Sequence, residues 1–488
     1  MINNLLFYLV LSVYLIFILI RILRWLAVIQ QKEYRLDRLL TFLKSKEGKK
    51  DFFKLFPFKE LEDIRLVKRP VRTLRIMLFF SLNLFFLVIP FVLLDRHLYI
   101  LIYLSFYYLL IPFIFLLLSL MTDIFKKFIE FVLLSKARMV LRRNKPLVVG
   151  ITGSYGKTTS KELVSQVLSK KYSVFKTPQS FNTPISIALS IIKSYKGQKI
   201  AVIEYAAYKR GEIKRIAKYI RPDVAVITGI SDQHLALFGS IQNLIKAKSE
   251  LVLALPKESI VICGSDDLKT IKVCSARSDI KIIKSKDLIK ENLIESITLN
   301  KDFHLKFKYK NELIETKLFG KHYIDAVINS ITVGNYLKVD NKDIISALNN
   351  FDSKENMTIS INKNNKGSLI IDDGRSSNSK GFKSAIDLTE EIILKKKDVY
   401  KDRILITQGI VDLGEQSSLI HRKIALKAKK VFSKVYYLGF DGDEDFNSVF
   451  GIDFVNDVDQ IKNLLKNSQK SLYLLEGKLS KWVYDLLS

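Results

Sequence analysis

The decapeptide Gly150-Ile-Thr-Gly153-Ser-Tyr-Gly156-Lys157-Thr158-Thr159 follows an apolar run, Leu147–Ile151, and precedes a helical stretch beginning near Ser160. Strand, glycine turn, lysine, hydroxyl and helix, in that order, are what a phosphate site needs. Glycines let backbone N–H groups turn inward, and a helix N-terminus adds positive potential. Gly153, Ser154, Tyr155 and Gly156 form the expected cradle, closed by Thr159. Lys157 is expected to reach the β- and γ-phosphates of ATP, and the Thr158 hydroxyl to ligate Mg²⁺. Ile151 stands five residues before Gly156, so the strict Walker spacing is not met. A second group has matching chemistry. Glu204 ends the apolar run Ile200–Tyr205, at the kind of strand end where α/β sheets place their sites. As a hard oxygen donor it suits Mg²⁺.

The elements that must position these groups begin at Pro146. From there short Val- and Ile-rich runs alternate with helical stretches of ten to fifteen residues. Strands are expected at Leu147–Ile151, Ile200–Tyr205, Val224–Ile227 and Ile260–Cys263. Later ones fall at Leu369–Ile371, Ile404–Thr407, Lys434–Leu438 and Leu472–Leu475. This alternation predicts parallel α/β sheets. Alternating polar and apolar residues over Ile283–Leu318 predict an antiparallel patch. A cluster of Asn, Lys, Ser and Gly over Phe351–Gly367 marks a boundary. The expected domains are therefore a membrane region at 1–145, a central nucleotide-binding α/β domain at 146–355, and a smaller Rossmann-like α/β domain at 356–488.

The front of the chain obeys a different pattern. Leu5–Ile20, Ile76–Leu94 and Leu98–Met121 are almost wholly apolar. A helix needs about 20 such residues to cross a bilayer. Arg21, Arg24 and Trp25 follow the first segment as an interfacial anchor, with no small-residue cleavage site. Lys and Arg crowd positions 21–75 and recur at Lys126, Lys127, Lys136, Arg138, Arg142, Arg143 and Lys145. Positive residues stay inside, which predicts an outside N-terminus, three crossings of the plasma membrane and a cytoplasmic remainder. The net charge of +29 is spread along the whole chain, with much of the early excess beside the apolar segments. Anionic lipid headgroups account for it better than nucleic acid does. Cys263 and Cys274 form no disulfide framework or metal cluster, which fits a reducing compartment.

The motif order resembles the Mur ligase family, MurF-type, from about Leu147 to the C-terminus. Thr177-Pro-Gln-Ser-Phe-Asn182-Thr183-Pro, Ala201-Val-Ile-Glu204, Arg221-Pro-Asp-Val-Ala-Val-Ile-Thr-Gly-Ile, His234, Phe238-Gly-Ser240 and Ala247-Lys248-Ser-Glu250 follow in the family's order. So do Gly320-Lys-His322, Ile371-Asp372-Asp373, and Leu413-Gly-Glu415 with His421-Arg422. The resemblance implies an ATP- and Mg²⁺-dependent ligase. It activates a carboxylate as an acyl phosphate and joins it to an amino acid or dipeptide, in peptidoglycan precursor synthesis. It further implies that His234 ligates a second Mg²⁺ and that Lys248 is carbamylated, turning an ammonium into a metal-binding carboxylate. By the same resemblance His322 and Asp373 help hold ATP, while Asn182, Thr183, Arg375 and Asn378 hold the acceptor and the amine. Lys157, Lys248 and His234 are the expected catalytic residues.

Four positions depart from the family pattern. Gly264, Tyr323 and Ala326 stand where Asn is usual, in segments the resemblance ties to adenine recognition. Around Asn356-Met357 the family's arginine, which meets the γ-phosphate, is missing. A lysine there is a point charge and does not replace a bidentate fork. The membrane region also occupies the place of the family's soluble UDP-sugar-binding domain, which points to a lipid-linked or membrane-adjacent acceptor. Two rival readings are a polyglutamate-type synthetase and a nucleotide-binding scaffold without catalysis. The Leu413-Gly-Glu415…His421-Arg422 pattern disfavours the first; intact Lys157, Thr158, Glu204, His234 and Lys248 disfavour the second.

Overall fold

The computed structural model describes all residues except 1, 33, 45, 54–69, 95, 233–234, 352–358, 375–377, 397–399, 401, 412 and 440. It divides into two units, Met1–Phe131 and Val132–Ser488.

The first unit is helical. Helices run over Ile2–Gln31, Leu36–Lys44, Lys46–Phe53 and Leu74–Leu93, and a fifth, His97–Asn144, begins here. Three of these are long and apolar enough to cross a membrane, at Phe7–Gln31, Leu74–Leu93 and His97–Asn144. The last is one unbroken helix of 48 residues, so the third apolar segment and the basic run behind it are a single element. Thr73 caps Leu74–Leu93, its hydroxyl accepting the Ile76 N–H. Pro90 in the last turn lacks a donor, and the Phe86 carbonyl it leaves open accepts the Tyr103 hydroxyl at 2.9 Å. Ile18, Ile22, Phe79, Leu104, Ile111 and Phe115 pack together inside. Asn83, buried among them, is satisfied. It donates to Phe79 O at 2.8 Å, and its Oδ1 accepts the Tyr107 hydroxyl at 3.0 Å. Phe85, Val92, Leu93, Phe106 and Leu117 remain exposed.

The second unit is built on two parallel sheets. The first has the order β2-β3-β1-β4-β5-β6, with β1 Leu147–Thr152, β2 Val174–Lys176, β3 Ile200–Glu204, β4 Val224–Ile227, β5 Ile260–Cys263 and β6 Lys281–Lys284. All its pairings are parallel. Side chains alternate between faces along a strand. Ala201, Ile203, Ala225, Ile227, Val261 and Cys263 therefore enter one core, and Ile200, Val202, Val224, Val226, Ile260 and Ile262 the other. Coverage on both faces is why these strands read as unbroken apolar runs. The antiparallel patch is β7 Ile294–Leu299, β8 His304–Tyr309 and β9 Glu312–Phe319. Its Leu305, Phe307, Tyr309, Ile314 and Leu318 cover the second core. Ile283, expected in this patch, lies instead in β6, which pairs parallel with β5.

The second sheet has the order β10-β11-β15-β12-β13-β14, with β10 Ser360–Lys363, β11 Leu369–Asp373, β12 Arg403–Thr407, β13 Lys434–Tyr437, β14 Phe454–Val455 and β15 Leu472–Glu476. Only the β10–β11 pairing is antiparallel. Leu405 and Leu474 face one layer, Ile404, Ile406, Tyr473 and Leu475 the other.

Candidate active site

β1 ends at Thr152 and the helix Lys157–Leu168 follows directly, three residues earlier than the sequence suggests. Gly156 explains the early start. It precedes the helix at φ 69°, a left-handed conformation that costs glycine nothing. Gly153 is fixed by crowding, since an added Cβ would stand 2.1 Å from Thr228 Oγ1. The loop is tied to the end of β4. Ser154 N–H donates to Gly229 O at 2.7 Å, and Thr228 Oγ1 donates to Tyr155 O at 2.5 Å. Lys157 curls back so that Nζ donates to Gly153 O at 3.0 Å and Ser154 O at 3.3 Å. Burial lowers its pKa, against the pull of Glu204.

Glu204 is 1 % exposed at the end of β3. Its Oε2 accepts the Thr158 hydroxyl at 2.9 Å and its Oε1 accepts Asn182 Nδ2 at 2.9 Å. One carboxylate thus joins the helix start to the loop that carries Asn182. Thr183, next along, caps the helix Pro184–Ser194 by a reciprocal capping box with Ser186. A hydroxyl and a carboxylate are oxygen donors of the hardness Mg²⁺ takes. Lys248, on the helix Ile241–Leu253, is buried. Burial, then the charge of Lys157, push its pKa down to about 7, while Glu212, Glu204 and Glu250 oppose. Glu250 itself accepts the Gly211 and Lys214 N–H groups at 2.6 and 2.9 Å, so it caps the helix Glu212–Tyr219.

The remaining expected residues gather on the other side of the loop. A cavity of about 100 Å³ is lined by Tyr155, Gly156, Thr159, His322, Asp373 and Asn378, among others. Burial lowers the His322 pKa to about 4, so the imidazole is neutral at pH 7. Asn378 caps the helix Ser379–Lys395 by accepting the Gly381 N–H at 2.9 Å. Asp373 ends β11 beside Glu476 at the end of β15, in register. Burial, then Asp373, raise the Glu476 carboxyl well above the usual range. His234 and Arg375 lie outside the described residues, as does the Asn356-Met357 segment.

Several side chains here escape a reading of the sequence alone. Lys161 is completely buried one turn beyond Lys157; it donates to Gln179 O and lies 3.2 Å from Glu162. Its signal is a lysine on the apolar face of a helix. Lys380 Nζ lies 4.0 Å above the Tyr155 ring, donates to its hydroxyl at 2.7 Å and pairs with Asp325 at 3.2 Å. Burial works against its charge, yet Asp325 and Tyr155 outweigh that and raise its pKa. No motif announces that contact, which joins residues 225 positions apart.

Residues 151–334 match the Mur ligase middle domain. The UDP-N-acetylmuramoyl-tripeptide–D-alanyl-D-alanine ligase of Bacillus subtilis (strain 168) is 26% identical over 290 residues, covering 59% of this chain and 61% of its own. The ligase of the same name from Buchnera aphidicola subsp. Acyrthosiphon pisum is 28% identical over 371 residues, 72% of this chain and 79% of its own. MurF from Acinetobacter baumannii superposes with a TM-score of 0.62 at 19% identity, over 73% of this chain and 80% of its own. The Thermotoga maritima MurF ligase, solved in complex with ADP, gives 0.58 at 24% identity, over 71% and 80%. These likenesses establish a MurF-like α/β fold with parallel sheets. The chain spans about three fifths of the length of the Bacillus relative.

Proposed function

The chain carries a Mur ligase middle domain at residues 151–334, and from that premise we propose a membrane-anchored, ATP-dependent ligase that joins a carboxylate to an amine in peptidoglycan precursor synthesis. The observation that carries the proposal is the glycine loop Gly153–Gly156 leading through Lys157 to Thr158, whose hydroxyl donates to the buried Glu204 carboxylate at 2.9 Å. A loop in which an added Cβ would clash at Gly153, ending on a helix N-terminus, suits a triphosphate. Thr158 and Glu204 would hold Mg²⁺, which neutralises phosphate charge when bound. His234 is proposed for a second Mg²⁺.

The acceptor carboxylate takes the terminal phosphoryl group of ATP, leaving ADP and an acyl phosphate. The amine then displaces phosphate, and the amide keeps the acyl carbon. Lys157 supplies positive charge to the phosphates and Asn182 orients Glu204. The neutral His322 and Asp373 are proposed on the nucleotide; Thr183, Arg375 and Asn378 on the acceptor and the amine. Lys248 is proposed as the carbamate-bearing lysine. Its lowered pKa leaves a free amine near pH 7, able to add to CO₂ with loss of a proton. Domain limits of 1–145, 146–355 and 356–488 are proposed for anchor, ATP-binding and C-terminal parts; the separate sheets at 147–284 and 360–476 support the last division.

Three apolar helices with exposed Phe, Leu and Val faces support the anchor, and the flanking lysines and arginines support a cytoplasmic catalytic part. Extraction will require detergent, and release by alkaline carbonate alone would remove the anchor from the proposal. An acceptor linked to lipid follows from such an anchor. The deciding experiment incubates full-length protein in vesicles with Mg-ATP, paired soluble or lipid-linked muramoyl-peptide acceptors, and amino acids or dipeptides. Phosphate release coupled to an amide product is expected, with the lipid-linked acceptor faster. Equal rates would sink the lipid-linked acceptor, and ATP turnover without amide would sink the ligase. Lys161→Met is expected to slow the same reaction by about 10²-fold, by loosening the loop that carries Asn182. A wild-type rate at every Mg²⁺ concentration would detach Lys161 from the site.

A further inference from the structure

One wall of the cavity beside the glycine loop is a single helical face. His322 and Tyr323 stand in the 3₁₀ turn Lys321–Tyr323, with Ala326 and Asn329 following on the helix Ile324–Tyr336. Tyr323 and Ala326 give that wall an apolar surface. Asn329 interrupts it with an amide. Asn329 is 0 % exposed, and among the described residues neither its Nδ2 nor its Oδ1 meets a hydrogen-bond partner. Ser160, which also lines the cavity, is likewise 0 % exposed, and its hydroxyl has no partner among the described residues. Folded proteins rarely leave buried polar groups unpaired, because the lost hydration is not returned. Gly264 makes the amide's position possible, since a Cβ there would stand 2.8 Å from both Nδ2 and Oδ1. Two such buried polar groups around one cavity, beside a loop shaped for phosphates, suit the polar edge of a ligand.

We infer that Asn329 is the base-reading residue of this cavity and that the base it reads is adenine. The inference rests on the nucleotide reading of the loop and deepens it. A carboxamide sets a donor beside an acceptor. Adenine sets an acceptor ring nitrogen beside its amino donor, so the two can meet at both points at once. Guanine sets two acceptors side by side on its major-groove edge, which would turn one of them against Oδ1. Its other edge carries neighbouring donors, which suit a carboxylate better than an amide. Tyr323 and Ala326 then offer the flat ring an apolar wall, as ligand pockets commonly do around a few polar groups.

The test measures binding of ADP, GDP and inorganic tripolyphosphate to the full-length protein in detergent by calorimetry. The wild-type protein is expected to prefer ADP over GDP by about tenfold or more. Asn329→Asp exchanges the donor for a second acceptor. It is expected to move the ADP:GDP ratio toward GDP by about tenfold or more, with tripolyphosphate affinity changed less than about twofold. Asn329→Ala removes an unsatisfied amide, so without nucleotide it should melt no lower than the wild type, yet lose most of the ADP-induced rise in Tm. An ADP:GDP ratio unmoved in Asn329→Asp overturns the inference. So does an Asn329→Ala protein that melts well below the wild type and keeps its full ADP shift, which would make Asn329 a packing residue. Wild-type protein that binds neither ADP nor tripolyphosphate would instead overturn the nucleotide reading itself.

Discussion

Replacing Lys157 with alanine is expected to slow amide formation by about 10³-fold while leaving the melting temperature close to that of the wild type. The two halves of this expectation have separate causes. The Nζ group lies on the loop itself, donating to Gly153 O and Ser154 O where a triphosphate would bind. Phosphoryl transfer is catalysed almost entirely by holding and neutralising charge, and loss of one preorganised electrostatic group costs on the order of 10²–10³ in rate. Stability is another matter. Burial already lowers the pKa of this lysine, so its charge is held at a cost that alanine removes. The two carbonyls it leaves belong to buried residues, Gly153 and Ser154, so the lost hydrogen bonds offset that gain and the net change is small. Single-turnover phosphate release, paired with a thermal melt, separates the two effects. A Lys157→Ala protein that keeps wild-type turnover would end the case for phosphate chemistry at Gly153–Thr159. A protein that loses turnover only because it unfolds would leave that case without support from this residue.

The central strands were legible in the sequence because of where they sit. β1, β3, β4 and β5 in the first sheet, and β11, β12, β13 and β15 in the second, are covered on both faces, and burial on both faces writes an unbroken apolar run. The four strands that escaped are β2, β6, β10 and β14, which are the two edges of each parallel sheet. Val-Phe-Lys, Lys-Ile-Ile-Lys, Ser-Ile-Asn-Lys and Phe-Val are short, and three of them carry charge that discourages pairing with another chain. The signal that marks a strand is a signal of burial, and an edge has little of it.

The site divides in the same way. Gly153, Gly156, Lys157 and Thr158 are neighbours in sequence, so one motif carries them all. Glu204 could be placed because it ends an apolar run. The contact of Asn182 with Glu204 needed the fold, as did the burial of Lys161 and the reach of Lys380 to Tyr155. Gly264 and Ala326 read in the sequence as losses from an adenine site. In the fold, Gly264 leaves the space that the Asn329 amide occupies, and Ala326 stands one turn before it on the same wall. A departure from a pattern at one position is thus legible only beside the residue that moves into the gap.

Lys248 carries the second large effect. Its amine is buried, near the charge of Lys157, and its pKa falls to about 7. An amine that is half unprotonated near neutral pH can add to CO₂, and the carbamate formed replaces a positive charge with a negative one beside Lys157. Turnover is therefore expected to depend on dissolved CO₂, to fall when the gas is stripped and to return when bicarbonate is added. Lys248→Ala should lose about 10²-fold or more in rate with no response to bicarbonate, and short carboxylic acids should restore part of it by filling the vacated space. The stability consequence has the opposite direction. The folded pKa lies below that of the unfolded chain, so the unfolded state binds the extra proton between about pH 7 and 10.5. The penalty of the buried ammonium is therefore fully present below pH 7 and disappears as the pH rises to 10.5. In CO₂-free buffer Lys248→Met should melt above the wild type at pH 6, with the gap closing toward pH 10. Turnover indifferent to CO₂ together with an active Lys248→Ala protein would remove the carbamate. A Lys248→Met protein melting below the wild type at pH 6 would show that the ammonium has a partner in the fold that its burial conceals.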